Sequence, residues 1–258
     1  MHLLLGEKIM SEIFSRNELI WGKKAQNALK SKHVTVFGAG GVGGFVLESL
    51  ARAGVGNFTV VDFDTVSKSN INRQIIALHS TIGKKKTELF EARLKDINPE
   101  INLKTVDNFY NSRLEEVIFA EKTDYVVDAI DTMRSKIELL VYCKKHGIPV
   151  ITSMGAGNRK DPTALYITDI SELQNTKCTF SKNVIYQLKK QGVESGIAAV
   201  ASRERPHSLE KIENHEKIAT PDGEIFEFTK FSPASTPFVP AVAGYFMGYY
   251  VLEALISG

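Results

Sequence analysis

The chain has 258 residues, 43% of them hydrophobic and 24% charged, enough to bury a full core as one large domain or two small ones. A formal net charge of +2 is too mild to demand a nucleic-acid partner, so any such claim must rest on local clusters. Cys143 and Cys178 are the only cysteines and form no Cys-x-x-Cys pair, which argues against a disulfide framework or a tetrathiolate zinc site and suits a reducing cytosol.

Residues 1–9 precede Met10 and read as an upstream start or a loose extension, and their three leucines are too few for a signal-peptide core. The spacing of Leu19, Ile20, Ala28 and Leu29 predicts a helix over residues 17–30. Strands at 33–37, 57–62, 101–106, 124–128 and 149–152 then alternate with helices that begin at Phe45 and cover 84–97, 112–120 and 132–146. Asn98-Pro99 stops the second of these helices. Such alternation needs crossover connections, hence a Rossmann-like α/β fold with a largely parallel sheet and helices on both faces.

Past Gly155-Ala-Gly157 the character changes. Residues 164–168 and 224–228 look like antiparallel strands, 182–191 a helix between them, and 203–220 a long loop. The expected organisation is an N-terminal extension and helix (1–31), an ATP-binding Rossmann-like domain (32–155), and a smaller C-terminal region (156–258) packed with it as one unit. Residues 238–258 carry Glu253 as their only charge and are long enough to raise membrane contact, but a buried core or interface helix opened by Pro240 is the favoured reading.

The chemistry begins at Gly38-Ala-Gly40-Gly41-Val-Gly43-Gly44, between a strand and a helix. Glycines let the backbone approach phosphate closely, and the amides of the new helix attract the anion. Alone the loop is ambiguous, because Asp62 follows at roughly the 20-residue spacing of a dinucleotide site. Further along come Asp62-Phe63-Asp64, Ser69-Asn70-Ile-Asn72-Arg73-Gln74, Gly83-Lys-Lys-Lys86 and Asp128-Ala-Ile-Asp131. An acid at a strand end can take ribose hydroxyls, arginine and lysine can clamp phosphates, and a later aspartate can hold magnesium. That combination suits a triphosphate better than a nicotinamide dinucleotide.

Together with Ile97-Asn98-Pro99, these motifs resemble the ubiquitin-activating-enzyme-like (ThiF/MoeB/HesA) superfamily, whose members adenylate carboxylates. The resemblance covers nearly the whole chain from Phe14. It implies a nucleotide loop of Gly38, Gly40, Gly41 and Gly43, with Gly41 against the phosphates and Asp62 on the ribose. Asn70, Arg73 and Lys86 would contact phosphates, Asp64 and Gln74 would share the ATP site, and Asp131 would serve magnesium. Arg16 would enter the partner's ATP site in a homodimer, joining Arg73, Lys86 and Asp131 as the catalytic set.

Within the superfamily the chain is more similar to bacterial tRNA threonylcarbamoyladenosine dehydratases, through Ser153-Met-Gly155-Ala-Gly157-Asn-Arg-Lys-Asp161-Pro162-Thr163 and Phe238-Val-Pro240-Ala-Val-Ala-Gly244. This implies a cytoplasmic enzyme that uses ATP to cyclise the modified adenosine in tRNA through an acyl-adenylate, with no thioester. A monovalent cation and a cysteine-desulfurase-type partner stay open. Arg159, Lys160 and Lys182 are the expected tRNA contacts, although the family's spacing slips at Thr179-Phe180-Ser181-Lys182. Cys178, before a helix, is a candidate nucleophile set against a structural role, and Cys143 is core. His79 reads as structural rather than as a base, and His33, His146 and His207 show no convincing partner. The rivals are activation of a sulfur-carrier protein's C-terminus and a non-catalytic nucleotide-binding protein.

Overall fold

The computed structural model describes residues 12–207, 212–219 and 225–257. Strand β1 (His33–Phe37) is buried at every position, as a strand covered on both faces must be. It pairs in parallel with β2 (Asn57–Val61) on one side and β4 (Tyr125–Asp128) on the other. β3 (Asn102–Val106) extends the sheet beyond β2, and β5 (Val150–Ser153) followed by β7 (Ala198–Ser202) extends it beyond β4, all in parallel. β6 (Leu165–Asp169) closes the edge antiparallel to β7, giving the order β3-β2-β1-β4-β5-β7-β6. The order reverses between β1 and β4, and open sheets bind ligands in the crevice at that point.

Successive side chains divide the sheet's two cores with a period of two. Val34, Val36, Phe58 and Val60 face one layer; Phe37, Val61 and Val126 face the other. The first layer holds α3 (Gly43–Ala53), α4 (Lys86–Ile97) and α8 (Phe238–Ser257); the second holds α6 (Met133–Lys145) and α7 (Thr179–Lys190).

The C-terminal apolar run is a core helix on one side. Val239, Ala243, Met247, Val251 and Leu255 recur every four residues and are buried. Gly244 admits the α3 backbone so closely that a Cβ there would lie 2.5 Å from the Val42 carbonyl oxygen. Removing Met247 and Val251 from water contributes about 1.5–3 kcal/mol each.

Several expectations need correction. The N-terminal helix breaks at Gly22 (φ 82°) into α1 (Ser15–Trp21) and α2 (Lys23–Leu29). The helix expected at 112–120 shrinks to a 3₁₀ turn and the short α5 (Glu115–Ile118). The strand near 164–168 pairs with β7, a short Ala-rich run the pattern did not reveal, and so belongs to the main sheet. Within the expected loop 203–220, residues 212–219 form β8 (Ile212–Ala219), which pairs antiparallel with β9 (Ile225–Ser232) as a separate two-stranded sheet. Residues 1–9, the remainder of that loop at 208–211 and 220, and Glu224 lie outside the described residues.

Candidate active site

The glycine loop leaves β1 and turns into α3 under a steric constraint: a Cβ on Gly43 would collide with the Gly38 carbonyl oxygen. Gly38 has φ 84° and donates its N–H to the Val61 carbonyl at 2.8 Å, tying the loop to β2. The next tie is Asp62, just past β2, whose Oδ2 accepts from Ala39 N–H at 2.6 Å while Oδ1 accepts from Asp64 N–H at 2.8 Å. Burial pushes the Asp62 carboxyl above the usual aspartate range, more than the nearby Lys86 charge draws it down. Its bond to Ala39 fastens the glycine loop to the end of β2.

Lys86 opens α4 and is almost wholly buried. Its Nζ lies 2.6 Å from Asp64 Oδ2 and 3.8 Å from Asp62 Oδ1. The Asp64 side chain is 47% exposed, so this ion-pair cluster has an open side.

Arg73 comes in from the 3₁₀ turn at 68–70. Its stem lies beside Gly41, where a Cβ would sit 3.4 Å from Arg73 Cγ. Its Nη1 donates to the Ser69 carbonyl at 2.8 Å and to Asn72 Oδ1 at 2.9 Å. Burial lowers the Arg73 pKa from its ordinary value while the charge of Asp131 raises it, which places those two charges in one field. Gln74 is buried against Gly40 with its Oε1 unsatisfied, an acceptor waiting for a donor. Asn70 has its Oδ1 engaged locally, accepting from Ser67 N–H at 3.0 Å.

Asp131 stands exposed just beyond β4. Magnesium is held by one or two carboxylates plus phosphate oxygens rather than by a protein cage. Among the described residues no group of three metal-ligating side chains occurs, and a single carboxylate beside Arg73 fits a metal carried in on phosphates. Three residues earlier, Asp128 makes a different cluster. It is sealed with Lys136 at 2.6 Å, accepts from Thr152 Oγ1 at 2.7 Å, and takes Ile130 N–H on its other oxygen at 3.1 Å. From sequence alone Asp128 had no role beyond its place in the Asp128-Ala-Ile-Asp131 motif, and Lys136 was not expected. The available signal was a lysine on the apolar stripe of α6, in step with Leu139, Leu140 and Cys143.

Arg16 is exposed on α1, and Asn17 donates to the Arg52 carbonyl at 3.0 Å. Arg52 lies in the last turn of α3, whereas the glycine loop begins it, and an eleven-residue helix is about 16 Å long. Arg16 thus sits at the far end of α3 from its own subunit's loop. Leu19 and Ile20 beside it are 86% and 80% exposed.

The expected tRNA contacts separate. Arg159 is 4% exposed and donates to the carbonyls of Gly155, Gly157 and Glu204, so it braces its own loop and is not a surface contact. Lys160 and Lys182 are exposed. Cys178 is buried at the start of α7; burial pushes its thiol up, but bonds with Ser181 and the Arg159 guanidinium outweigh this and lower it. Cys143 lies in the core. Three histidines do have partners: His33 bridges Thr59 Oγ1 and the Lys122 carbonyl, His146 Nδ1 lies 2.9 Å from the Tyr142 carbonyl, and His207 meets Glu204 at 3.0 Å.

Comparison with known proteins converges on one group. Residues 14–257 match the ThiF family. The tRNA threonylcarbamoyladenosine dehydratase of Bacillus subtilis is 42% identical over 95% of this chain and 94% of its own length. The Escherichia coli protein of the same name is 38% identical over 62% of this chain and 59% of its own length. A crystal structure of the E. coli tRNA N6-threonylcarbamoyladenosine dehydratase in complex with ATP has a TM-score of 0.82 at 29% identity, covering 96% of this chain and 95% of that one.

Proposed function

The chain belongs to the ThiF family, and from that premise we propose that it is an ATP-dependent tRNA threonylcarbamoyladenosine dehydratase. The observation that carries this is near-complete coverage of the B. subtilis dehydratase at 42% identity, joined to a glycine loop that leaves β1 where the strand order reverses, with Arg73 beside Gly41 and Lys86 beside Asp62 and Asp64. The threonyl carboxylate attacks the α-phosphate of ATP, giving an acyl-adenylate and pyrophosphate. The neighbouring carbamoyl system then attacks the activated acyl carbon and expels AMP. One carboxylate oxygen leaves on AMP, so the nucleoside loses the elements of water. No thioester is required, and Cys178 has no role in the sequence of bonds.

In this reading the loop amides and the N-terminus of α3 hold phosphate, and Arg73 and Lys86 neutralise its charge from fixed positions in a partly dry site. Asp131 holds magnesium, which supplies further charge neutralisation on the phosphates when bound. Lys86 exchanges its bond with the half-open Asp64 for a phosphate oxygen. Lys160 and the exposed face of α7 contact tRNA: Lys182, Tyr186 and Lys190 follow at four-residue steps, Lys189 adjoins them, and α7 contains no acidic residue. Lys190 lies 4.4 Å above the Tyr186 ring. The protein acts in the cytoplasm, where its tRNA substrate is.

The position of Arg16 favours a homodimer in which it completes the partner's site. Mixing inactive Arg16→Ala with inactive Asp131→Ala should then restore activity, because one site of each mixed dimer carries neither lesion. Verified mixed dimers with no recovery would refute this.

The function itself is tested by incubating the protein and ATP with tRNA bearing threonylcarbamoyladenosine whose carboxylate carries heavy oxygen. The expected products are a nucleoside lighter by one water and labelled AMP. Unchanged tRNA, together with adenylation of a sulfur-carrier C-terminus, would establish the rival.

A further inference from the structure

Asn72 precedes Arg73, and its carboxamide works in two directions. Its Oδ1 accepts from Arg73 Nη1 at 2.9 Å, and its Nδ2 donates to the Ser235 carbonyl at 3.0 Å. Ser235 lies in the strap 233–237 that joins β9 to α8. Asn158 clasps the same strap: its N–H donates to the Ala234 carbonyl at 2.7 Å, and its Oδ1 accepts from Ala234 N–H at 2.8 Å. The Asn158 carbonyl in turn accepts from His207 N–H at 2.8 Å. His207 lies on the chain leading to β8, so one residue grips both roots of the β8–β9 hairpin.

Two features set this clasp apart from ordinary loop bonding. Among the described residues Asn158 is the non-glycine residue with positive φ, at 58°. Asparagine tolerates that left-handed region better than most residues, and such conformations gather where a precise loop shape is needed. In addition, the hairpin pairs with no strand of the main sheet, and an isolated two-stranded sheet is marginally stable in water. What holds its roots therefore decides where it stands.

We propose that Asn72 is a positioning residue that fixes the Arg73 guanidinium and ties it, through Ser235, to the Asn158 clasp at the root of the β8–β9 hairpin. The rate of adenylation then depends on the clasp, although Asn158 is bonded to the strap and not to Arg73. This rests on the reading of Arg73 as a phosphate ligand.

The test measures ATP–pyrophosphate exchange with threonylcarbamoyladenosine-bearing tRNA, together with KM for tRNA and the melting temperature. Asn72→Ala should lower the exchange rate about tenfold or more, the scale of a small misplacement of a reacting group, with KM for tRNA and melting temperature near wild type. Asn158→Gly keeps the left-handed backbone and both main-chain bonds but removes the Oδ1 acceptor. Asn72→Asp keeps the acceptor for Arg73 but removes the donor to Ser235. Each of these should slow exchange, and the double variant should be no slower than the slower single, because both cut one connection.

Multiplying losses in the double variant would overturn the connection, as would Asn72→Asp or Asn158→Gly at wild-type rate while Asn72→Ala is slow. Losses confined to melting temperature would overturn the positioning role. Arg73→Ala separates the two levels. If it leaves exchange intact, the phosphate role of Arg73 fails and this proposal with it; if it abolishes exchange while the asparagine variants are normal, the positioning claim alone fails.

Discussion

Two lysines near the carboxyl ends of β2 and β4, the strands on either side of β1, answer carboxylates in opposite ways. Lys136 and Asp128 are both fully sealed, 2.6 Å apart, with Thr152 completing the cluster. Lys86 is equally close to Asp64, but that partner is half exposed and the second carboxylate, Asp62, is 3.8 Å away and already bonded to two backbone amides. A sealed pair has no exchange partner, and breaking it strands a charge in a dry interior. An open pair can trade its carboxylate for a phosphate oxygen. In the proposed reading burial alone does not separate a structural charge from a catalytic one, since both lysines are buried; the exposure of the partner does.

The largest effect should follow from removing the open cation. Lys86→Met should cut adenylation by about 10²–10³-fold, the scale of losing a preorganised charge in a partly dry site, as read by pyrophosphate release. Removing the sealed cation should act on the fold instead. Lys136→Met leaves Asp128 uncompensated and should cost about 3–5 kcal/mol in denaturant unfolding. A smaller effect is expected where charges are neither sealed nor clustered. Lys182→Glu and Lys189→Glu on the exposed face of α7 should weaken tRNA binding, and each lysine lost from a phosphate contact should reduce the salt slope by about one unit. An unchanged slope would remove α7 from the interface.

The smallest effect concerns His33, a buried group with two partners and no nearby opposite charge bonded to its ring. Burial lowers its pKa below 6.5, against the pull of the Lys122 carbonyl and of Glu121 and Asp124. The folded state therefore prefers neutral imidazole. Its contribution is fully present above pH 6.5 and is lost as pH falls through the lower folded value. The melting temperature should drop in that window, and His33→Gln should flatten the drop.

The fold was legible where a local pattern carried it. Five parallel strands and their crossovers follow from apolar runs punctuated by turns, and the tight turn from β1 into α3 from the glycines between strand and helix. β7 was not legible, because Ala198-Ala-Val-Ala-Ser has neither alternation nor bulk and becomes a strand only between β5 and β6. The hairpin strand β8 was hidden by its charges, which resemble a loop when only one strand is considered. At the site, residue types were readable but their partners were not. Arg159 looked like surface charge because its acceptors are main-chain carbonyls, which every sequence contains. Asn72 was legible as part of the Asn70–Gln74 motif but its role was not, for the same reason: one of its two bonds is to the backbone of Ser235.

The most direct measurement sets Lys86→Met and Lys136→Met side by side, with turnover per folded molecule and unfolding free energy determined for each. The account predicts a crossed result, in which Lys86→Met loses turnover but keeps most of its stability and Lys136→Met loses stability but keeps most of its turnover when folded. Equal losses of stability with comparable turnover would contradict it, because the open and sealed clusters would then be doing the same job.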